Sequence, residues 1–286
     1  MRQTLSYIAV SMLFLTTARA ADLRPPGQVV AGNSFSIPST GSGDASFYLI
    51  GPSSVLKKQV KLGQDIAIDG DDVKTSGRYL AIVCGSDGCT SAGFYVNPGE
   101  PARISFMLHP SRVPVSAGDA INATAFVFDK FRNPVLKPVE VDFHVTPKTG
   151  APFTRKVTSK LGVAWMKMGP TPKEGPVKVT AAVGAAAEPR IIQQVAADAC
   201  NLRIKASRTA KGVLIETDPV RDCSGNAVPD GTIVSFTAVD SRGKSTVDAP
   251  IKKGIARTEL PLSGSARISV ASGVVIGNEI TVGGGS

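Results

Sequence analysis

The chain has 286 residues, enough for two or three domains, and 42% hydrophobic side chains, enough to give each a core. Its 29 glycines and 20 prolines come with no long stretch of helical periodicity, which excludes a helical bundle. A formal net charge of +9 suits an anionic partner, but no nucleic-acid-reading motif accompanies it.

Met1–Ala20 reads as a secretory signal. Arg2 supplies the positive start, Tyr7–Leu15 the apolar run, and Ala18-Arg19-Ala20 the small-x-small cleavage site. The run is too short to span a bilayer comfortably, and no later stretch could span one, so the mature chain is expected without a transmembrane segment. Residues 21–98 form the first expected domain, a divergent sandwich. Strands are predicted at Ser34–Ile37, Ser46–Ile50, Lys58–Leu62, Ile66–Ile68, Arg78–Cys84 and Gly93–Val96, separated by turn clusters such as Gly51-Pro52-Ser53. Asn97-Pro98-Gly99-Glu100-Pro101 is a linker, because its prolines and glycine stop regular structure.

The second domain is placed at 101–197 and the third at 198–286, ending in a Gly-rich tail. Second-domain strands are predicted at Arg103–Leu108, Ile121–Phe128, Val139–Val145, Phe153–Thr158, Ala164–Met168, Val177–Val183 and Ile191–Val195. Val139, Val141, Phe143 and Val145 alternate with polar residues, one face in and one out. Between these strands lies the turn Asp129-Lys130-Phe131-Arg132-Asn133-Pro134-Val135, and Asp222-Cys223-Ser224-Gly225-Asn226-Ala227-Val228 repeats it 93 positions later. Phe143 and Phe236 keep that offset, and Gly162-Val163-Ala164 matches Gly254-Ile255-Ala256 at 92. Val177-Lys178-Val179 matches Ile268-Ser269-Val270 at 91, a drift that small loop-length changes produce. A period near 90 residues fits a whole sandwich rather than a solenoid unit.

The Asp-x-x-x-Asn-x-Val turn, the alternating strand after it and the later Gly-Val-Ala or Gly-Ile-Ala resemble the bacterial Ig-like domains of the invasin/intimin type, over about 101–283. The resemblance implies all-β, tandem immunoglobulin-like sandwiches used as spacer or adhesive modules outside the cytoplasm.

Four cysteines in an exported chain make disulfides the default. Of three connectivities, Cys84–Cys89 and Cys200–Cys223 are favoured because each pair lies within one expected domain. Cys84 and Cys89 flank a glycine-containing hairpin tip, and Cys200 is expected to begin the third domain's first strand. Trp165 is read as core, on one face with Val163 and Lys167. His109 and His144 are the two histidines, and neither joins a nucleophile-plus-acid pattern, so no catalysis and no cofactor are expected. Asp65, Asp69, Asp71 and Asp72 could in principle hold calcium, but the ligand spacing is wrong and a solvated acidic turn is preferred.

The basic excess is uneven. Residues 21–98 carry six basic and seven acidic side chains, the middle domain with Glu100 carries thirteen and seven, and the third carries eleven and nine. The expected function is an exported, non-enzymatic structural or adhesive module at the bacterial cell envelope or surface. The alternative is a carbohydrate-binding or periplasmic accessory protein serving an envelope enzyme or secretion machine. The partner is expected to be a protein or glycan, not nucleic acid. The repeated turns are the candidate binding loops: Lys130, Phe131, Arg132 and Asn133, with Ser224, Gly225 and Asn226. Exposed aromatics on one sandwich face would favour the glycan version, with Phe131 and Tyr95 as candidates.

Overall fold

A computed structural model describes residues 21–262 and 264–283. The expected signal, 1–20, and the last residues of the Gly-rich tail lie outside them. The chain divides into two compact units, Met1–Glu100 with Lys130–Asn133, and Pro101–Asp129 with Pro134–Ser286.

The first unit runs β1 (Gln28–Val30), β2 (Phe35–Ile37), β3 (Asp44–Ile50), β4 (Val55–Lys61), β5 (Ile66–Ile68), a 3-10 turn at Gly70–Val73, β6 (Gly77–Gly85) and β7 (Gly88–Asn97). A five-stranded sheet, β1-β7-β6-β3-β4, accompanies the two-stranded β2-β5. Alternation within β3 and β6 sends Phe47, Leu49, Tyr79, Ala81 and Val83 inward, where they meet Ile37, Ile66 and Ile68.

The second unit holds two separate hydrophobic cores. Around the first lie β8 (Arg103–His109), β9 (Arg112–Pro114), β10 (Ile121–Phe128), β11 (Glu140–Pro147), β12 (Phe153–Thr158), β13 (Val163–Met168), β14 (Gly175–Val183) and β15 (Ala186–Val195). They form the sheets β13-β10-β8 and β12-β11-β14-β15-β9. Around the second lie β16 (Ile204–Thr209), β17 (Gly212–Thr217), β18 (Ile233–Asp240), β19 (Gly243–Pro250), β20 (Arg257–Leu260), β21 (Ala266–Ser272) and β22 (Val275–Val282), as β16-β17-β20 and β19-β18-β21-β22. Each core is thus enclosed by two antiparallel layers, apart from the short parallel strand β9 on its sheet edge.

The two sandwiches of this unit repeat in atomic detail. Phe143 and Phe236 are both fully buried, as are Ala164 and Ala256. Val135 N–H bonds Val127 O at 3.0 Å, and Val228 N–H bonds Val220 O at 3.1 Å. Val127 and Val220 each donate, at 2.8 Å, to the carbonyl of Gly162 and Gly254 respectively. Those glycines share a φ of 82°, and the residues before them, Leu161 and Lys253, sit at 51° and 52°. The left-handed backbone explains why glycine recurs at this point in both copies.

Three expectations need correction. Strands β1 and β9 went unforeseen. Each has three residues and pairs in parallel with the last long strand of its sheet, β7 or β15, so neither is long enough to show a period. Cys200 does not begin a strand. It makes an isolated bridge with Arg221 ahead of β16. Trp165 is not core: it is 53% exposed, because Ala164, Met166 and Met168 form the buried face of β13.

Candidate functional site

The repeated turn is a hydrogen-bonding device with two sides. In the later copy, the carboxylate of Asp222 organises the inner side. Its Oδ1 accepts from the N–H groups of Ser224 at 2.9 Å and Asn226 at 2.8 Å, closing the turn on itself. Its Oδ2 accepts from Asn226 Nδ2 at 2.8 Å and from the N–H of Ala197, between β15 and β16, at 3.0 Å. Burial pushes the Asp222 carboxyl up, but the Asn226 amide and the N–H groups of Ala197, Asn226 and Ser224 outweigh it and hold the group below the usual aspartate value. Gly225 takes the left-handed φ of 79° that the tight return needs.

Asn226 faces the other side. Its Nδ2 donates to Pro172 O at 3.0 Å, and its Oδ1 accepts from Glu174 N–H at 3.1 Å. Lys173 Nζ donates to Ser224 O at 2.6 Å. The loop leading into β14, part of the first sandwich of this unit, is therefore gripped at three consecutive residues by the turn of the second. The Cys200–Cys223 bond, with Cα atoms 5.0 Å apart, ties the segment between β15 and β16 to the same turn.

The earlier copy makes the same grip within the first unit. Asn133 Nδ2 donates to Lys74 O at 2.8 Å, and Asn133 Oδ1 accepts from Ser76 N–H at 2.8 Å. In both copies the amide spans a backbone carbonyl and the N–H two residues on, just before the glycine that opens β6 or β14. Phe131 seats against the core of this unit, over Gly32, where an added Cβ would lie 2.3 Å from its ring. Lys130 Nζ sits 4.7 Å above that ring.

The candidate loop residues thus divide. Asn133 and Asn226 are buried and turned onto neighbouring backbone, and Phe131 and Ser224 are half-buried. Lys130, Arg132 and Gly225 are the ones exposed. The gripped residues Lys74, Ser76, Pro172 and Glu174 escaped sequence reasoning. The available signal is the shared step before Gly77 and Gly175, where Lys74-Thr75-Ser76-Gly77 and Pro172-Lys173-Glu174-Gly175 share little but the glycine.

The remaining candidates are scattered. Cys84–Cys89 closes the β6–β7 hairpin at paired positions, with Cα atoms 4.0 Å apart. His144 Nδ1 lies 2.8 Å from Thr154 Oγ1, and His109 faces Asn122 across the β8–β10 ladder. Asp69 caps the 3-10 turn by accepting from Asp71 N–H, Asp71 pairs with Lys74, and Asp65 accepts from Ser36 Oγ. Among the described residues, no group of three or more His, Cys, Asp or Glu side chains is placed to hold a metal ion. No helix among them is long and apolar enough to cross a membrane.

No protein-family model matches the sequence, and no curated protein matches it. Solved structures do. FdeC, described as an Escherichia coli adhesin, aligns with 93% of this chain and 96% of its own at a TM-score of 0.63 and 14% identity. Invasin, described as a bacterial integrin-binding protein, aligns with 93% of this chain and 59% of its own, at 0.49 and 14%. InvD of Yersinia pseudotuberculosis aligns with 93% and 98%, at 0.48 and 12%. The FdeC likeness carries the comparison, and it concerns architecture: this chain has the tandem Ig-like sandwich fold found in that bacterial adhesin.

Proposed function

We propose that the protein is an exported, non-enzymatic tandem Ig-like module that serves a structural or adhesive role at the bacterial cell envelope or surface. The modules are 21–98, 101–197 and 198–286, following a cleaved signal at 1–20. The observation that carries this reading is the asparagine grip. The most distinctive repeated residues of the chain spend their hydrogen bonds on neighbouring backbone rather than lining a cleft. Such a use suits a protein whose work is to hold modules in relation to one another and present their surfaces. Two disulfides fit an oxidising compartment, and the adhesin role described for FdeC fits the same setting.

Fractionation of cells producing the full chain tests this. Mature protein starting at Ala21, cleaved by added protease on intact cells or after outer-membrane permeabilisation, is the expected result. A full-length chain retained in the cytosol would refute it, and the two protease conditions separate surface from periplasm. A second reading, a carbohydrate-binding or accessory protein, draws support from the exposed Trp165.

A further inference from the structure

The outer face of the sheet β13-β10-β8 carries an arrangement that sandwich packing does not require. The register places Met107, Thr124 and Trp165 in one cross-strand row, with His109, Asn122 and Lys167 in the next. Met107 is 51% and Trp165 53% exposed, while Phe106, Ala123, Ala125, Ala164 and Met166 fill the opposite, buried face. An indole and a thioether thus lie open on either side of a small threonine. Lys167 Nζ stands 5.8 Å from the Trp165 ring centre. At the adjoining edge, Arg155 reaches across from β12 to donate to Lys167 O at 3.3 Å, and its guanidinium lies 6.0 Å from the ring of Phe153, itself 38% exposed. Neither Lys167 nor Arg155 has a carboxylate partner among the described residues, whereas nearby Lys156 is paired with Glu140 and Asp142.

We propose that this face binds an acidic polysaccharide, with a sugar ring laid on Trp165 and the carboxylate or sulfate groups of the glycan met by Lys167 and Arg155. The inference rests on the reading of the chain as an exported binding module and names its partner class. Three features select the occupant. A flat aromatic ring offers an apolar surface to the C–H face of a pyranose. Arg155 and Lys167 supply cations with no carboxylate partner among the described residues, the guanidinium with a fork suited to carboxylate or sulfate. The middle sandwich also carries the chain's basic excess, which attracts a polyanion over a distance. Met107 and Thr124 provide a shallow floor, right for an extended chain rather than a buried small molecule.

Trp165 is the only tryptophan in the chain, so its fluorescence reports on this face alone. The full-length mature protein is titrated with heparin, polygalacturonate, neutral dextran and poly-glutamate, following that emission. Binding is measured in parallel by calorimetry so that Trp165→Ala can be scored. Heparin or polygalacturonate should shift the emission, and the pair distinguishes sulfate from carboxylate as the preferred group. Dextran and poly-glutamate should not shift it. Trp165→Ala, and the double variant Arg155→Ala with Lys167→Ala, should each weaken acidic-glycan binding by about tenfold or more, with thermal unfolding unchanged because all three side chains are exposed. Equal binding of dextran would overturn the role of charge, and equal binding of poly-glutamate would transfer the face to acidic proteins. Salt-sensitive binding that survives both sets of substitutions would show general attraction to a basic domain and refute the site. Cell fractionation reads the export proposal separately, so a chain that is exported but blind to acidic glycans sinks this inference alone.

Discussion

Replacing Asn226 with alanine tests the grip directly. The substitution removes two bonds to neutral backbone, at Pro172 O and Glu174 N–H, and one to the Asp222 carboxylate. A neutral bond contributes about 0.5–1.5 kcal/mol net and one to a charged group about 1.5–3. Water can reach the outer part of the loop, since Pro172 and Glu174 are exposed, and the three bonds share one side chain. The combined loss is therefore set below the simple total, at about 2–4 kcal/mol. Urea unfolding of the mature protein measures it, and amide hydrogen exchange locates it. Protection of the Glu174 N–H should fall, while amides in the middle of β14 stay protected. Asn226→Asp serves as a companion variant. It sets a second carboxyl where Nδ2 now lies 2.8 Å from Asp222 Oδ2, which raises the pKa of the pair. Its deficit should therefore grow as pH rises through the carboxylate range and shrink on acidification, when the pair shares a proton. A loss under about 0.5 kcal/mol for the alanine variant, with unchanged Glu174 exchange, would refute the reasoning.

Other outcomes follow from the same geometry. Peptides digested without reduction should contain Cys84 linked to Cys89 and Cys200 linked to Cys223, and replacing Cys200 and Cys223 by serine should cost about 3 kcal/mol in urea unfolding. The lowered pKa of Asp222 contributes stability that is full above the ordinary aspartate range and is lost as pH falls through the lower folded value. Asp222→Asn should flatten that acid limb while lowering stability at neutral pH; an unaltered limb would count against the carboxylate's role. Arg132 adopts a φ of 71° where its counterpart Gly225 adopts 79°. Arg132→Gly should accordingly raise stability by about 0.5–1 kcal/mol, the relief of left-handed strain less the added freedom of the unfolded chain, whereas Gly225→Ala should lower it by a similar amount.

Much of the architecture was legible because strands announce themselves through alternation. Val141, Phe143 and Val145 point inward as their spacing demands, and Ile121–Phe128 has the bounds read from sequence. The repeat was legible because buried turn chemistry tolerates few residues: Asp222, Gly225 and Asn226 each occupy a position defined by bonds or by φ. The same turn told less about its use. Asparagine is common in turns for local reasons, and nothing in Ser224-Gly225-Asn226 says that the amide looks outward to Pro172 and Glu174. That knowledge needs the position of a loop about fifty residues upstream in sequence. Trp165 was misplaced for a different reason. Val163, Trp165 and Lys167 alternate as convincingly as Ala164, Met166 and Met168, and pattern alone does not choose between two faces that both hold apolar residues. The structure makes the choice: Ala164, Met166 and Met168 join Phe143 in one buried cluster, and Trp165 stands on the opposite, exposed face of β13.

The central claim is that the Asn226 turn holds the two sandwiches of the second unit together. Spin labels attached by non-cysteine chemistry at the exposed positions Lys178 and Lys244, one on each sandwich of the second unit, read this as a distance distribution by double electron–electron resonance. A narrow distribution in the native protein that broadens in Asn226→Ala is the predicted result. A distribution already broad in the native protein, and unmoved by the substitution, would contradict it.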